Sequence, residues 1–186
     1  MNKNTREGGI NINTNYAEIV LGLITTVGTD TENVIRFMQE HLKKFSYTTK
    51  VINVSSQVLK EFEKETPTFD SEYDRIKHYM DLGNKARNES KDATIVMKGV
   101  AAHILSERDS VTEPSPKEKI AYIIKSIKHP DEAAYLKEGY GDGFHLIGIT
   151  SDIVDRKKFL TEVKSMSENE AEELMKRDSD DVDNMG

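Results

Sequence analysis

The chain has 186 residues, with 26 lysines and arginines against 33 aspartates and glutamates, and a formal net charge of −7. This length suits one domain with a substantial core. It contains no cysteine, which excludes disulfide scaffolds, cysteine-ligated zinc, iron–sulfur clusters and thiol nucleophiles. Residues 168–183 hold eight of the acids with two bases. The rest of the chain is therefore nearly neutral, and its charge argues neither for nor against a phosphate-bearing ligand.

Neither a membrane-spanning segment nor a secretion signal is indicated. The sequence has no uninterrupted apolar run of the ~20 residues that a membrane helix needs. Residues 1–16 are rich in asparagine and lack the apolar centre of a signal peptide. We therefore predict a cytoplasmic protein with no membrane partner. Residues 1–15 predict a flexible leader, and the folded domain is expected over residues 16–177.

Short β-branched runs alternate with helical patterns along the rest of the chain. Strands are predicted at 17–24, 47–54, 119–124 and 143–149. Helices are predicted at 31–45, 57–64, 71–86, 92–106, 131–138, 153–165 and 168–176, with a polar, proline-containing loop at 109–117. This alternation predicts a three-layer α/β domain with a mainly parallel sheet. Such sheets bind ligands beyond the carboxyl ends of their strands.

The segment between the first strand and the first helix is the first candidate ligand site. Gly22 and Gly28 are separated by five residues, and Thr29 and Asp30 stand where a phosphate-binding loop carries lysine and serine or threonine. Backbone N–H groups at a helix start can hold a phosphate without a charged side chain. The lysine that balances the charge of a transferred phosphate is missing from this pattern. The segment fits both a nucleotide-binding loop and an ordinary turn into a capped helix.

Basic residues at three further places are candidates for the same ligand. Arg75 and Arg87 lie twelve positions apart in one helical pattern, so both can reach a common anion or both can face solvent. Gly83 interrupts this helix and predicts a kink or a close approach. Lys128 is expected to point into the ligand crevice, although a proline-initiated helix start also accounts for its segment. Arg156 begins a cluster of basic residues at the start of a predicted helix. Such a cluster resembles the lid of phosphoryl-transfer folds, and it also fits an ordinary basic surface.

The sequence contains no ligand pattern of a zinc hydrolase. None of the five histidines is followed by glutamate two residues later, and no H-E-x-x-H pair occurs. Aromatic residues are scattered, without the interleaving of basic and aromatic residues that a nucleic-acid platform shows.

Five motifs follow one another over residues 18–178. They read G-L-I-x-x-V-G-T-D, V-I-N-V-S-S, E-x-D-R-I-x-x-x-M-x-x-G-N-x-x-R, I-K-H-P-x-E-A-x-x-L-x-x-x-Y-G-x-G-F-x-L-I-G-I, and D-R-x-x-F-L with M-x-R-D. In this order they resemble the N-terminal half of the bacterial anti-phage deoxycytidylate deaminases. The resemblance implies a P-loop-kinase-like domain that precedes a zinc-dependent deaminase domain. That second domain converts dCTP and dCMP to deoxyuridine nucleotides, which depletes nucleotides during phage infection.

The resemblance also implies where a nucleotide would bind. It assigns the nucleotide loop to Gly22, Gly28, Thr29 and Asp30 and marks Arg75, Arg87 and Lys128 as signature positions. With Thr25 of the loop and Arg156 of the basic cluster, these residues make up the predicted nucleotide site. Thr25 stands where the family pattern has glycine, which narrows the loop. The remaining signature positions carry no assigned catalytic role: Gly83, Asn84, His129, Pro130 and Glu132.

The H-x-E and P-C-x-x-C elements of the deaminase are not present in this chain. The resemblance therefore implies zinc only in a deaminase domain outside it, with magnesium accompanying a bound nucleotide. Residues 178–186 are expected to form an acidic tail or a linker toward that domain, as in a fragment or a split gene. The implied partners are a small inhibitory RNA and further copies of the chain. Whether this chain is itself an enzyme stays open: the alternatives are a stand-alone nucleoside or nucleotide kinase, and a non-catalytic oligomerisation or inhibitor-binding module.

Overall fold

The computed structural model describes residues 18–109 and 119–183. The predicted leader and nearly all of the predicted proline-containing loop lie outside these ranges. Within them, four parallel strands form one sheet in the order β2-β3-β1-β4. The strands are β1 Glu18–Thr25, β2 Tyr47–Asn53, β3 Lys119–Lys125 and β4 Phe144–Ile149. The α/β fold and the parallel sheet predicted from the sequence are confirmed.

Helices connect the strands and follow them: α1 Glu32–Lys44, α2 Glu72–Ser90, α3 Ile95–Asp109, α4 Pro130–Tyr140, α5 Ile153–Lys158 and α6 Glu168–Asp183. Shorter irregular turns are π-helical at Val54–Val58 and Phe159–Val163, and 3₁₀-helical at Leu59–Phe62 and Gly141–Gly143. The helix predicted at 57–64 is found as these π and 3₁₀ turns, which end at Phe62. Val58 and Leu59 of these turns are buried in the core.

Two hydrophobic cores cover the two faces of the sheet. The main core joins strand residues to α3 and α4 and includes Val20, Tyr122, Ile124, Ile104 and Leu136. The core on the opposite face joins Leu21, Leu23 and Ile123 to Ile35 of α1. Successive residues of β1 and β3 enter opposite cores, which explains why their sequences are continuously apolar. The arrangement is the three-layer one that the sequence predicts.

Helix α6 and the turn Phe159–Val163 pack in a third cluster. Its buried members are Leu160, Met166, Ala171, Leu174 and Met175, and it is covered by partly buried residues of α2. Helix α6 continues to Asp183, past its predicted end at residue 176. Asp178, which the sequence analysis placed at the start of an acidic tail, lies in this helix and is only 3% exposed. None of the helices in the described ranges is both long enough and apolar enough to cross a membrane.

The chain connections determine where the sheet offers a ligand crevice. Strand β1 leads through α1, on one face, to β2, whereas its neighbour β3 leads through α4, on the other face, to β4. The chain therefore leaves two adjacent strands in opposite directions. In open α/β sheets ligands bind at such a switch point, outside the carboxyl ends of the strands.

Candidate functional site

A cavity of about 290 Å³ opens at this switch point, between the loops that follow β1 and β3. Residues from α2, α6 and the segments after β2 and α5 complete its walls. Seven of the nine residues predicted as a nucleotide site line it: Thr25, Gly28, Thr29, Asp30, Arg75, Arg87 and Lys128. The fold therefore brings together most of the residues that the sequence analysis selected. Gly22 and Arg156 do not line the cavity.

Gly22 lies inside β1 and not in the loop that follows it. A Cβ atom at this position would collide with Cδ1 of Ile127 and approach the Phe144 ring at 3.0 Å. Glycine is needed here because the side chains of the main core pack directly on the strand backbone.

The β1–α1 loop is a tight turn. The N–H of Thr29 donates to the carbonyl of Thr26 at 3.1 Å, and the hydroxyl oxygens of these two residues are also 3.1 Å apart. Gly28 has φ +88°, and a Cβ atom there would lie 2.8 Å from the carbonyl oxygen of Arg156. Both the backbone angle and the close approach require glycine. Asp30 accepts from the N–H of Glu32 at 3.0 Å, which stabilises the start of α1.

Arg156 holds this loop in place from the side of α5. Its Nε donates to the carbonyl of Val27 at 2.7 Å. Its Nη2 is buried and has no hydrogen-bond partner among the described residues. This nitrogen lies 4.0 Å from Oδ2 of Asp178. Arg156 therefore shapes the loop, and in this structure it does not face the cavity.

Lys128 reaches the same loop from the segment after β3. Its Nζ donates to the carbonyl of Thr25 at 3.1 Å and to Oδ1 of Asp178 at 2.8 Å. The other oxygen of Asp178 accepts from the N–H of Val27 at 2.8 Å. A loop N–H and an ammonium group are donors that hold phosphates in nucleotide-binding loops. Here both bind a carboxylate of the chain.

Asp178 was predicted only as the last position of a motif and the first residue of an acidic tail, with no role in the site. A usable signal was present, because Ala171, Leu174 and Asp178 follow one another at helical spacing. The first two are fully buried in the third cluster. An acid that continues an apolar stripe is expected to find a buried partner.

Glu132 connects Lys128 with Arg87. It is fully buried, and its Oε1 accepts from Nε and Nη2 of Arg87 at 3.1 and 2.6 Å. Its Oε2 accepts from the N–H groups of Lys128 and His129 at 2.9 and 3.2 Å. Glu132 and His129 form the capping box that begins α4. One carboxylate thus ties the guanidinium of Arg87 to the backbone that carries Lys128.

Arg75 forms a two-bond ion pair with Glu72. Nε and Nη2 of the arginine lie 2.6 and 2.7 Å from the two carboxylate oxygens. These hydrogen bonds lower the pKa of Glu72 and raise the pKa of Arg75, because they favour both charged forms. Nζ of Lys164 lies 3.5 Å from the same carboxylate. Glu72 therefore neutralises two cations at this wall of the cavity.

Each lysine or arginine that lines the cavity in the described ranges pairs with a carboxylate. The pairs are Lys125 with Glu32, Arg75 and Lys164 with Glu72, Arg87 with Glu132, and Lys128 with Asp178. The hydrogen bond from Lys125 lowers the pKa of Glu32. The lining also contains apolar side chains: Leu59, Ile76, Tyr79, Met80, Phe159 and Leu160. An anion can bind here by exchanging with these carboxylates, while a flat ring packs on the apolar side chains.

A second cavity of about 300 Å³ adjoins the first and shares Asn84, Arg87 and Asp181 with it. His129 and Lys91 also line this second cavity. Gly83 lines the first cavity without breaking α2, and a Cβ there would be 3.3 Å from Nη1 of Arg87. The close approach expected at this glycine is thus to a cavity-lining arginine.

A scan against models of protein families gives no match, and a search of curated protein sequences gives none. In the part of the chain that the structure describes, no group of three or more histidine, aspartate or glutamate side chains is arranged to hold a metal ion.

Proposed function

We propose that this chain is a nucleotide-binding domain whose ligand places its phosphates at the β1–α1 loop beside Lys128. The observation that carries the proposal is the convergence of this loop, Arg75, Arg87 and Lys128 on one cavity at the switch point of the sheet. Parallel α/β sheets bind nucleotides at this position. Loop N–H groups and basic side chains are the donors that phosphates accept from.

The nucleoside part of the ligand is proposed to lie against the apolar lining, including Tyr79, Met80 and Phe159. Aromatic and aliphatic side chains pack well against the faces of a base. The volume of about 290 Å³ is at the lower end of the range for small-molecule sites, which is about 300–1,000 Å³. The adjoining cavity offers room for a ligand that extends past Arg87.

The motif resemblance supports a more specific proposal for the parent protein. In it, the domain regulates an anti-phage deoxycytidine nucleotide deaminase whose zinc chemistry takes place in a separate domain. Magnesium accompanies the nucleotide, and the assembly is a cytoplasmic homo-oligomer controlled by a small RNA. This chain alone does not deaminate. Zinc-dependent deamination of dCTP by this chain would overturn that division of labour.

Calorimetric titration of the chain with dCTP, dCMP and ATP, each with magnesium and with a chelator, tests the nucleotide site. We expect at least one nucleotide to bind, and Lys128→Met to weaken that binding by about tenfold or more, since a hydrogen bond to a charged group contributes about 1.5–3 kcal/mol. Lys85→Met is the matched control, because Lys85 is an exposed α2 residue outside the cavity lining. Absence of binding by all three nucleotides, or equal affinities of wild type and Lys128→Met, would overturn the proposal.

The same preparations separate the two alternatives. Turnover of ATP with a nucleoside or nucleotide acceptor would favour a stand-alone kinase. A stable oligomer whose melting temperature responds to no nucleotide would favour a non-catalytic module.

A further inference from the structure

We infer that Asp178 is an internal competitor for the phosphate position, and that an anionic ligand binds by displacing it and thereby releases the C-terminal half of α6. The inference rests on the proposed nucleotide site and describes how that site is regulated. It would make the position of α6 depend on whether the site is filled.

Asp178 is held as a bound anion would be held. Its two oxygens accept from Nζ of Lys128 and from the N–H of Val27, both at 2.8 Å. The unpaired Nη2 of Arg156 lies 4.0 Å away. The two donors and this nearby guanidinium come from three different segments, and the acid comes from a fourth. Only 4% of the Asp178 side chain is exposed, so this carboxylate is held away from solvent.

A phosphate and this carboxylate cannot use the donors together. The N–H of Val27 carries one proton, and Asp178 already accepts it. Two anions side by side in a buried site repel each other strongly, because the surroundings screen charge weakly. A phosphate that reaches the loop and Lys128 therefore has to replace the carboxylate. The apparent affinity is then the intrinsic affinity multiplied by the fraction of molecules in which Asp178 has left the position.

Helix α6 is attached in a way that permits such a release. Its N-terminal half is anchored by Ala171, Leu174 and Met175 in the third cluster, which is distinct from the two cores of the sheet. Beyond these residues its contacts include the ion pair of Arg177 with Asp81 (2.5 Å), in which Asp81 is 62% exposed. Exposed ion pairs contribute little stability. The amide of Asn84 also donates to the two oxygens of Asp181, at 3.4 and 3.3 Å. Asp178 is the buried polar attachment among these contacts, so its release weakens the hold on the end of the helix.

Titration with inorganic tripolyphosphate, compared among wild type, Asp178→Asn and Glu172→Gln, tests the competition. Asparagine keeps the size of the side chain and can accept from Val27, but it does not neutralise Lys128. We expect Asp178→Asn to bind tripolyphosphate about tenfold more tightly than wild type. Glu172→Gln removes the same charge from the exposed face of α6, outside the cavity lining. It should stay within about twofold of wild type, because exposed charges are screened.

Hydrogen exchange of the wild-type protein supplies a second measurement that does not depend on the stability of the variant. Tripolyphosphate should slow exchange at the N–H of Val27 and accelerate exchange over residues 177–183. Slower exchange over both segments would place Asp178 in the bound complex, for example through a cation, and would overturn the competition.

The outcomes distinguish failure of the competition by Asp178 from failure of the proposed nucleotide site. If wild type binds tripolyphosphate and Asp178→Asn binds it equally or more weakly, the competition is wrong and the nucleotide site stands. If wild type and Asp178→Asn bind neither tripolyphosphate nor dCTP, both the competition and the proposed function are wrong. Equal gains in Asp178→Asn and Glu172→Gln would assign the effect to overall charge and also overturn the competition.

Discussion

Glu132 is the residue whose substitution tests how the site is held together. Its two oxygens accept from four donors, two on Arg87 and the N–H groups of Lys128 and His129, at 2.6 to 3.2 Å. Glutamine has almost the same shape but only one oxygen. Its NH₂ group then faces two donors whichever way the amide is turned. Glu132→Gln therefore leaves Arg87 without its carboxylate and two buried donors without an acceptor.

The size of the effect follows from this geometry. Glu132 is fully buried, so Glu132→Gln removes one charge of a buried ion pair. We therefore expect the free energy of unfolding to fall by about 3–5 kcal/mol, the usual loss for such a change. Single domains are stable by only about 5–15 kcal/mol. At about 2–4 °C per kcal/mol for a chain of this size, the melting temperature should fall by roughly 6–20 °C.

Urea and thermal unfolding followed by far-UV circular dichroism measure this loss. Glu138→Gln is the control on the same helix, since Glu138 is exposed; it should change stability by less than about 0.5 kcal/mol. Arg87→Met combined with Glu132→Gln should cost less than the sum of the two single changes, because the double variant leaves no unpaired buried guanidinium. An unfolding midpoint of Glu132→Gln equal to that of Glu138→Gln, or strictly additive losses, would refute the reasoning.

Two further predictions concern the loop and the pH dependence of stability. Gly28→Ala should lower the free energy of unfolding by about 1–3 kcal/mol and weaken nucleotide binding, because it forces a Cβ against the carbonyl of Arg156 at positive φ. Gly148→Ala is the control, since a Cβ at that position has nothing within 4 Å. Equal melting temperatures of the two variants would contradict the role given to Gly28. A hydrogen bond from Lys98, with others from a neighbouring threonine, lowers the pKa of Asp92 from 3.8 to about 2. Because this pKa is lower in the folded protein than in the unfolded chain, the carboxylate stabilises the folded state at pH values above its unfolded-state pKa. This stabilisation is lost as the pH falls through the folded-state pKa. The stability difference between wild type and Asp92→Asn should therefore shrink in urea titrations between about pH 5 and about pH 2, and a constant difference would contradict the assignment.

Local patterns in the sequence were sufficient for the architecture. The strand predicted at 17–24 is found at Glu18–Thr25. A strand buried on both faces is marked by a short run of β-branched and apolar residues, and this signal lies entirely in neighbouring residues of the sequence. Ligands bind beyond the carboxyl ends of parallel strands, so the predicted strands also indicated where to look for a site. Seven of the nine residues selected in this way line one cavity. Helix ends were less predictable. Helix α2 runs to Ser90, past residue 86, and ends where Lys91 adopts φ +53° without a glycine to mark the turn.

The partner of each charge depended on the folded chain. Asp178 binds Val27 across 151 positions, and Arg87 binds Glu132 across 45. Periodicity could place Asp178 on the apolar face of its helix, but it could not identify the loop against which that face packs. Ion pairs depend on the distance between side chains in space, and that distance is set by how the helices dock on the sheet. Which carboxylate neutralises which cation, and hence whether the proposed phosphate position is already filled, therefore follows from packing and not from spacing along the chain.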